Sequence, residues 1–173
     1  MQALISTLFD IIRLRRGPEA IPYSNLLFVI IGMMWLLAGV VMTLATAELG
    51  PKDFIIGVLT GIAGLACYAG IVVLAGRSAR LMQTLMALLG CGALLSFLFV
   101  AGDLVLTPLL SDSLSNVIVT LILLWTVPVE GHIISRAIER HWYIGVVMAM
   151  AVFVLQLMLY SILDPTVLAA PET

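Results

Sequence analysis

The densest run of ionisable residues in this sequence is Glu130-Gly131-His132-Ile133-Ile134-Ser135-Arg136-Ala137-Ile138-Glu139-Arg140-His141, and it follows directly on an apolar segment. A carboxylate and an imidazole two positions apart at the mouth of an apolar helix are the residue types of a proton relay or ligand pair, because ionisable groups at membrane depth mark pathways and sites. On a continuous helix His132, Arg136, Glu139 and Arg140 fall on one side, at the spacings of three and four that let side chains meet. Charges just past a span are also what topology alone requires, and arginines there extend towards headgroups. That plainer reading outweighs the chemical one, and Glu130, His132 and Arg136 stand as a candidate polar cluster. Gln156 is the single strongly polar residue inside the last apolar segment. It either hydrogen-bonds across a helix interface, the favoured reading, or faces a polar cavity. His132 and His141 are nine positions apart with no thiolate nearby, which matches no usual zinc spacing, and Cys67 and Cys91 lie in apolar runs as small hydrophobes. No catalytic residue, metal or cofactor is assigned, and the expectation is a non-enzymatic protein.

What must position these residues is a set of membrane helices. Of 173 residues, 62% are hydrophobic and only 10% charged, with a mean hydropathy of +1.20. Those fractions lie outside the range of ordinary soluble domains, so lipid is the solvent. Seven of the eight Lys and Arg residues fall at three places, Arg13/Arg15/Arg16, Arg77/Arg80 and Arg136/Arg140, with long apolar segments between them. By the positive-inside rule this predicts an all-α, polytopic transmembrane helix bundle of five spans, at about 25–46, 54–76, 81–101, 114–134 and 142–163, with the N-terminus cytoplasmic and the C-terminus outside. The chain is then a single membrane domain with its bundle over 24–164. Pro128 falls inside the fourth span, where its missing N–H frees a carbonyl near Leu124 and predicts a kink. The stretch 104–110 is too short to cross and is expected as an outer loop on the membrane surface. Nothing resembles a basic nucleic-acid-binding face.

Ahead of the first span, Met1, Leu4, Ile5, Leu8, Phe9 and Ile12 share one helical face and Gln2, Ser6, Asp10 and Arg13 the other. The segment 1–16 is therefore expected as an amphipathic helix. Either it lies in the interface plane, with Arg13, Arg15 and Arg16 against anionic lipid headgroups, or it packs on the protein's own spans. The second span carries a stripe of small residues, Gly57, Gly61, Gly64 and Gly70, including a Gly57-x-x-x-Gly61 motif that allows close helix approach. It is expected as a helix-packing interface, first within the chain and second with another protomer.

Arg15-Arg16-Gly17-Pro18 before the first span, together with Trp125, Gly131-His132-Ile133-Ile134 and Arg136-Ala137 between spans four and five, resembles the small bacterial members of the Yip family. That family is named for eukaryotic relatives that interact with Rab-type GTPases. The resemblance implies a five-span fold in a bacterial inner membrane. It implies no GTPase-binding or trafficking role, because the long amino-terminal cytoplasmic region of the eukaryotic relatives has no counterpart here. Two functions are expected in order. The first is a packing, assembly or membrane-organising subunit whose partners are membrane lipids and a membrane protein or a second copy of itself. The second is a small transporter or channel using Glu130, His132 and Gln156.

Overall fold

The computed structural model describes residues 2–46, 50–106 and 112–164, and every regular element among them is helical. The helices are α1 (Gln2–Ile12), α2 (Asn25–Ala45), α3 (Pro51–Leu74), α4 (Leu81–Leu106), α5 (Asp112–Leu124), α6 (Thr126–Ala137) and α7 (Trp142–Leu163). Short 3-10 turns at Pro18–Ala20 and Ser78–Arg80 precede α2 and α4. Four helices, α2, α3, α4 and α7, are long and apolar enough to cross a membrane. The molecule is a multi-pass membrane helix bundle with a short apolar helix at its start.

Local chemistry sets the ends of these helices. The Ser24 hydroxyl accepts from the Leu27 N–H at 3.3 Å to cap α2, satisfying one of the donors that a helix start leaves open. Pro51 opens α3 where a missing N–H costs nothing, and Asp53 accepts from the Gly50 N–H at 2.7 Å. α1, α3 and α6 end in the same way, with a residue in the left-handed region followed at once by an arginine: Leu14 before Arg15, Gly76 before Arg77, Glu139 before Arg140. In each, the arginine N–H reaches back to a carbonyl five residues earlier, Asp10, Val72 and Ser135 respectively, at 2.9, 3.1 and 2.9 Å. Glycine adopts this conformation freely, whereas Leu14 and Glu139 bear a cost of about 1–2 kcal/mol. Packing of Leu14 on the core and the ion pairs of Glu139 offset it.

Those ion pairs gather one end of the bundle. Glu139 meets both Arg77 and Arg80, the latter at 2.7 Å, and Arg136 lies 3.4 Å from Glu19. At the other end Lys52 and Asp164 pair at 2.9 Å, and the Tyr160 hydroxyl donates to Asp53 at 3.1 Å. α3 and α7 therefore run antiparallel, their ends tied by charge on both sides.

α4 is the central helix. Half of its apolar window is buried inside the protein, against 11% in α2 and in α7. An uninterrupted buried run, 86–91, is what a helix enclosed on all sides requires. The lipid-facing surfaces of α2 and α7 carry large exposed apolar side chains such as Leu26, Met33, Leu37, Val147, Leu157 and Ile162.

Several expected boundaries shift. The first helix ends at Ile12 rather than near 16, and it packs on α4 instead of resting wholly in the interface: Leu8 and Ile11 are fully buried, while Ile5 and Phe9 stay exposed. Gly90 makes room for it, since a Cβ there would come within 2.8 Å of the Leu8 side chain. The third apolar helix continues past 101 through Asp103 to Leu106, so 104–106 is helix and not loop, and 107–111 lies outside the described residues. The fourth expected span, 114–134, is two helices, α5 and α6, interrupted at Trp125. The cause is Pro128, which has no N–H to give to Leu124.

Candidate functional site

The three members of the expected polar cluster do not converge. Each leaves α6 towards a different element. The Tyr68 hydroxyl of α3 donates to Glu130 Oε2 at 2.6 Å, a bond by which a carboxyl group among apolar helices is solvated from within. His132 Nε2 lies 3.0 Å from the Arg16 carbonyl oxygen; a carbonyl only accepts, so this nitrogen carries the proton and donates. Arg136 faces Glu19. Glu139 and Arg140 are past the end of α6 and do not continue its face. Sequence reasoning did not find Tyr68. The signal available was a tyrosine in the middle of a span, whose hydroxyl must find a partner.

His132 belongs to a second arrangement. Four carbonyl oxygens of segment 2–21 receive bonds from side chains of the bundle: Leu8 from the Cys91 thiol at 3.8 Å, Ile12 from Trp125 Nε1 at 3.2 Å, Arg16 from His132, and Ile21 from Gln83 Nε2 at 2.8 Å. The end of α1 and the irregular chain after it leave the Ile12, Arg16 and Ile21 carbonyls open, and here Trp125, α6 and α4 supply the donors. Arg13, Arg15 and Arg16 are all exposed, and Arg16 is 3.3 Å from Asp10.

The glycine stripe of α3 divides. Gly61 lies against Trp35 of α2, where a Cβ would approach the ring to 2.6 Å, and Gly64 lies against Gln156 of α7. Gln156 donates through Nε2 to the Thr60 carbonyl at 3.2 Å, a bond across the α3–α7 interface. Gly57 and Gly70 have no atom within 4 Å of where a Cβ would stand. Gly57 faces a cleft of about 300 Å³ near the Lys52–Asp164 end, bounded by Trp35, Gly39 and Phe54 with Asp53 and Tyr160 at its rim. Among the glycines, the closest approach to another helix's backbone is elsewhere, between α6 and α7. A Cβ at Gly131 would stand 2.7 Å from the Val146 Cα, and one at Gly145 would collide with the Gly131 carbonyl.

Among the described residues no buried side-chain nitrogen or oxygen lacks a partner, and no group of three His, Cys, Asp or Glu side chains is arranged to hold a metal ion. The Thr60 hydroxyl donates to the Ile56 and Gly57 carbonyls, and that of Thr84 to the Arg80 carbonyl. No family model matches this chain, and no curated protein or solved structure does so either.

Proposed function

We propose that this chain is a five-span membrane protein whose work is packing: it organises the bilayer around it or holds a neighbouring membrane protein or a second copy of itself. The observation that carries this reading is that the polar side chains brought among the helices bond to one another or to backbone, with Tyr68 on Glu130 and Gln156 on Thr60, so that among the described residues no buried side-chain nitrogen or oxygen is left without a partner. Five crossings are supported by the charged ends. α4 leaves the Arg77/Arg80 end, and the turn between α6 and α7 returns to it through Glu139, which supports a return crossing by α5 and α6. The likeness to the Yip family belongs to this proposal and brings no trafficking role with it.

A surface for a neighbour is offered by the outer face of α3, where Ile55, Leu59 and Ile62 are exposed and Ala66 and Gly70, four apart, form a shallow seat with open space over Gly70. Ala66→Leu with Gly70→Leu removes that seat without touching the chain's own packing at Gly61 and Gly64. Cross-linking in native membranes, followed by gentle extraction, then yields fewer higher-order species. An unchanged pattern counts against the packing reading.

One observation favours a second reading, a transporter. The Pro128 interruption at Trp125 lies shortly before Glu130, and a carboxyl group beside a kinked helix at membrane depth is a feature of transport pathways. Ion flux into proteoliposomes that vanishes in Glu130→Gln supports it, and absence of flux in the native protein removes it.

A further inference from the structure

Between α3 and α7, at the arginine end of the bundle, lies an open groove of about 540 Å³ walled by Ile71, Leu74, Ile144 and Met148 and rimmed by Arg77 and Arg140. Its volume falls in the range of roughly 300–1,000 Å³ that small-molecule sites occupy. A second chamber of about 380 Å³ shares Glu139 and Arg140 with the groove and is lined besides by Arg80, Arg136, Glu19 and Ser135. The two spaces adjoin at Glu139 and Arg140, the groove apolar on the side that opens to the bilayer and the chamber cationic at the membrane surface. Four arginines face two glutamates across it, a surplus of two positive charges.

The charges are unevenly used. Arg77 and Arg80 share the one carboxylate of Glu139, and Arg136 has Glu19, but the Arg140 guanidinium has no acidic partner among the described residues. Trp142 and Tyr143, both exposed at the first turn of α7, put this rim at headgroup level, where such aromatics settle. Leu74, 89% exposed, opens the groove sideways to acyl chains.

We propose that this groove holds one anionic phospholipid, its phosphate against Arg140 and Arg77 and one acyl chain along Ile71, Leu74, Ile144 and Met148. The apolar wall selects a lipid over a free phosphate, and the positive surplus selects an anionic headgroup over a zwitterionic one; basic pockets between membrane helices bind such headgroups. The site requires only that this end of the bundle meet a membrane surface, and it stands apart from whether the chain assembles with a neighbour.

The test is native mass spectrometry of the full chain in mild detergent, given equal amounts of phosphatidylglycerol and phosphatidylcholine. The wild-type protein is expected to retain the anionic lipid at least about ten-fold over the other. Arg140→Gln lowers that preference about five-fold, the effect of one basic residue at a membrane surface, Arg140→Lys keeps most of it, and Lys52→Gln, on a cation at the opposite end of the bundle, leaves it unchanged. Met148→Trp, which fills the groove, reduces retention of both lipids. Equal retention of the two lipids by the wild type overturns the proposal, as does an equal fall in Lys52→Gln and Arg140→Gln. Displacement of the bound lipid by millimolar inorganic phosphate overturns it too, by making the site one for free anions.

Discussion

The hydroxyl of Tyr68 ties α3 to α6 inside the bundle. It is the donor to the Glu130 carboxyl group, and a carboxyl among apolar helices without its donor bears the desolvation cost uncompensated. Tyr68→Phe is expected to lower stability by about 1–3 kcal/mol, the range for leaving a buried acceptor unsatisfied, and Glu130→Gln, which retains an acceptor, by less; thermal unfolding in detergent compares the two. Trp125 acts at a distance from the core, through a single bond to the Ile12 carbonyl. Trp125→Phe keeps an aromatic ring and removes that bond, so about 1 kcal/mol of docking is lost, read as faster hydrogen exchange over residues 2–12 with little change in α7. Glu130 stood out in the sequence because a charge at the edge of an apolar run is conspicuous. Its partner did not, since Tyr68 lies sixty-two positions away and only the packing of α3 on α6 brings the pair together.

At the scale of elements, glycine does two different things in neighbouring helices. Gly131 and Gly145 let the backbones of α6 and α7 touch, and an added methyl has nowhere to go. Gly131→Ala is expected to cost about 1–3 kcal/mol through forced separation of the pair. Gly70→Ala, on an open face, is expected to cost nothing and to gain up to about 1 kcal/mol from helix propensity. Parallel thermal unfolding of the two variants checks both signs. The GxxxG spacing drew attention to α3, yet it could not tell that Gly61 and Gly64 face inward while Gly57 opens on a cleft. That depends on the rotation of the helix about its axis, which Trp35 and Gln156 set from other helices. Apolar length, by contrast, was legible for α2, α3 and α7, whose expected and observed ends agree to within about three residues. The interruption at Trp125 was foreshadowed by Pro128. The seating of α1 on α4 was not decided by amphipathicity, because lipid and a neighbouring helix are equally apolar targets for the same face.

The whole molecule is organised by charge at its two ends. Three helices deliver arginines to one end through the same left-handed turn, where the negative pole of each helix favours them. Lys52, Asp53 and Asp164 close the other. The sequence made this polarity visible through clustering of arginine alone, while the acidic partners Glu19 and Glu139 came into view only with the fold. Five crossings follow if the chain between α4 and α7 returns across the membrane as the broken pair α5 and α6. In a chain with Cys67 and Cys91 replaced, single cysteines at Thr46, Val105, Ser78 and His141 are treated with a membrane-impermeant thiol reagent on intact cells and then on inverted vesicles. Thr46→Cys and Val105→Cys are predicted to react from one face, Ser78→Cys and His141→Cys from the opposite face. Reaction of Val105→Cys and His141→Cys from the same face would mean that residues 107–137 do not cross, contradicting the account.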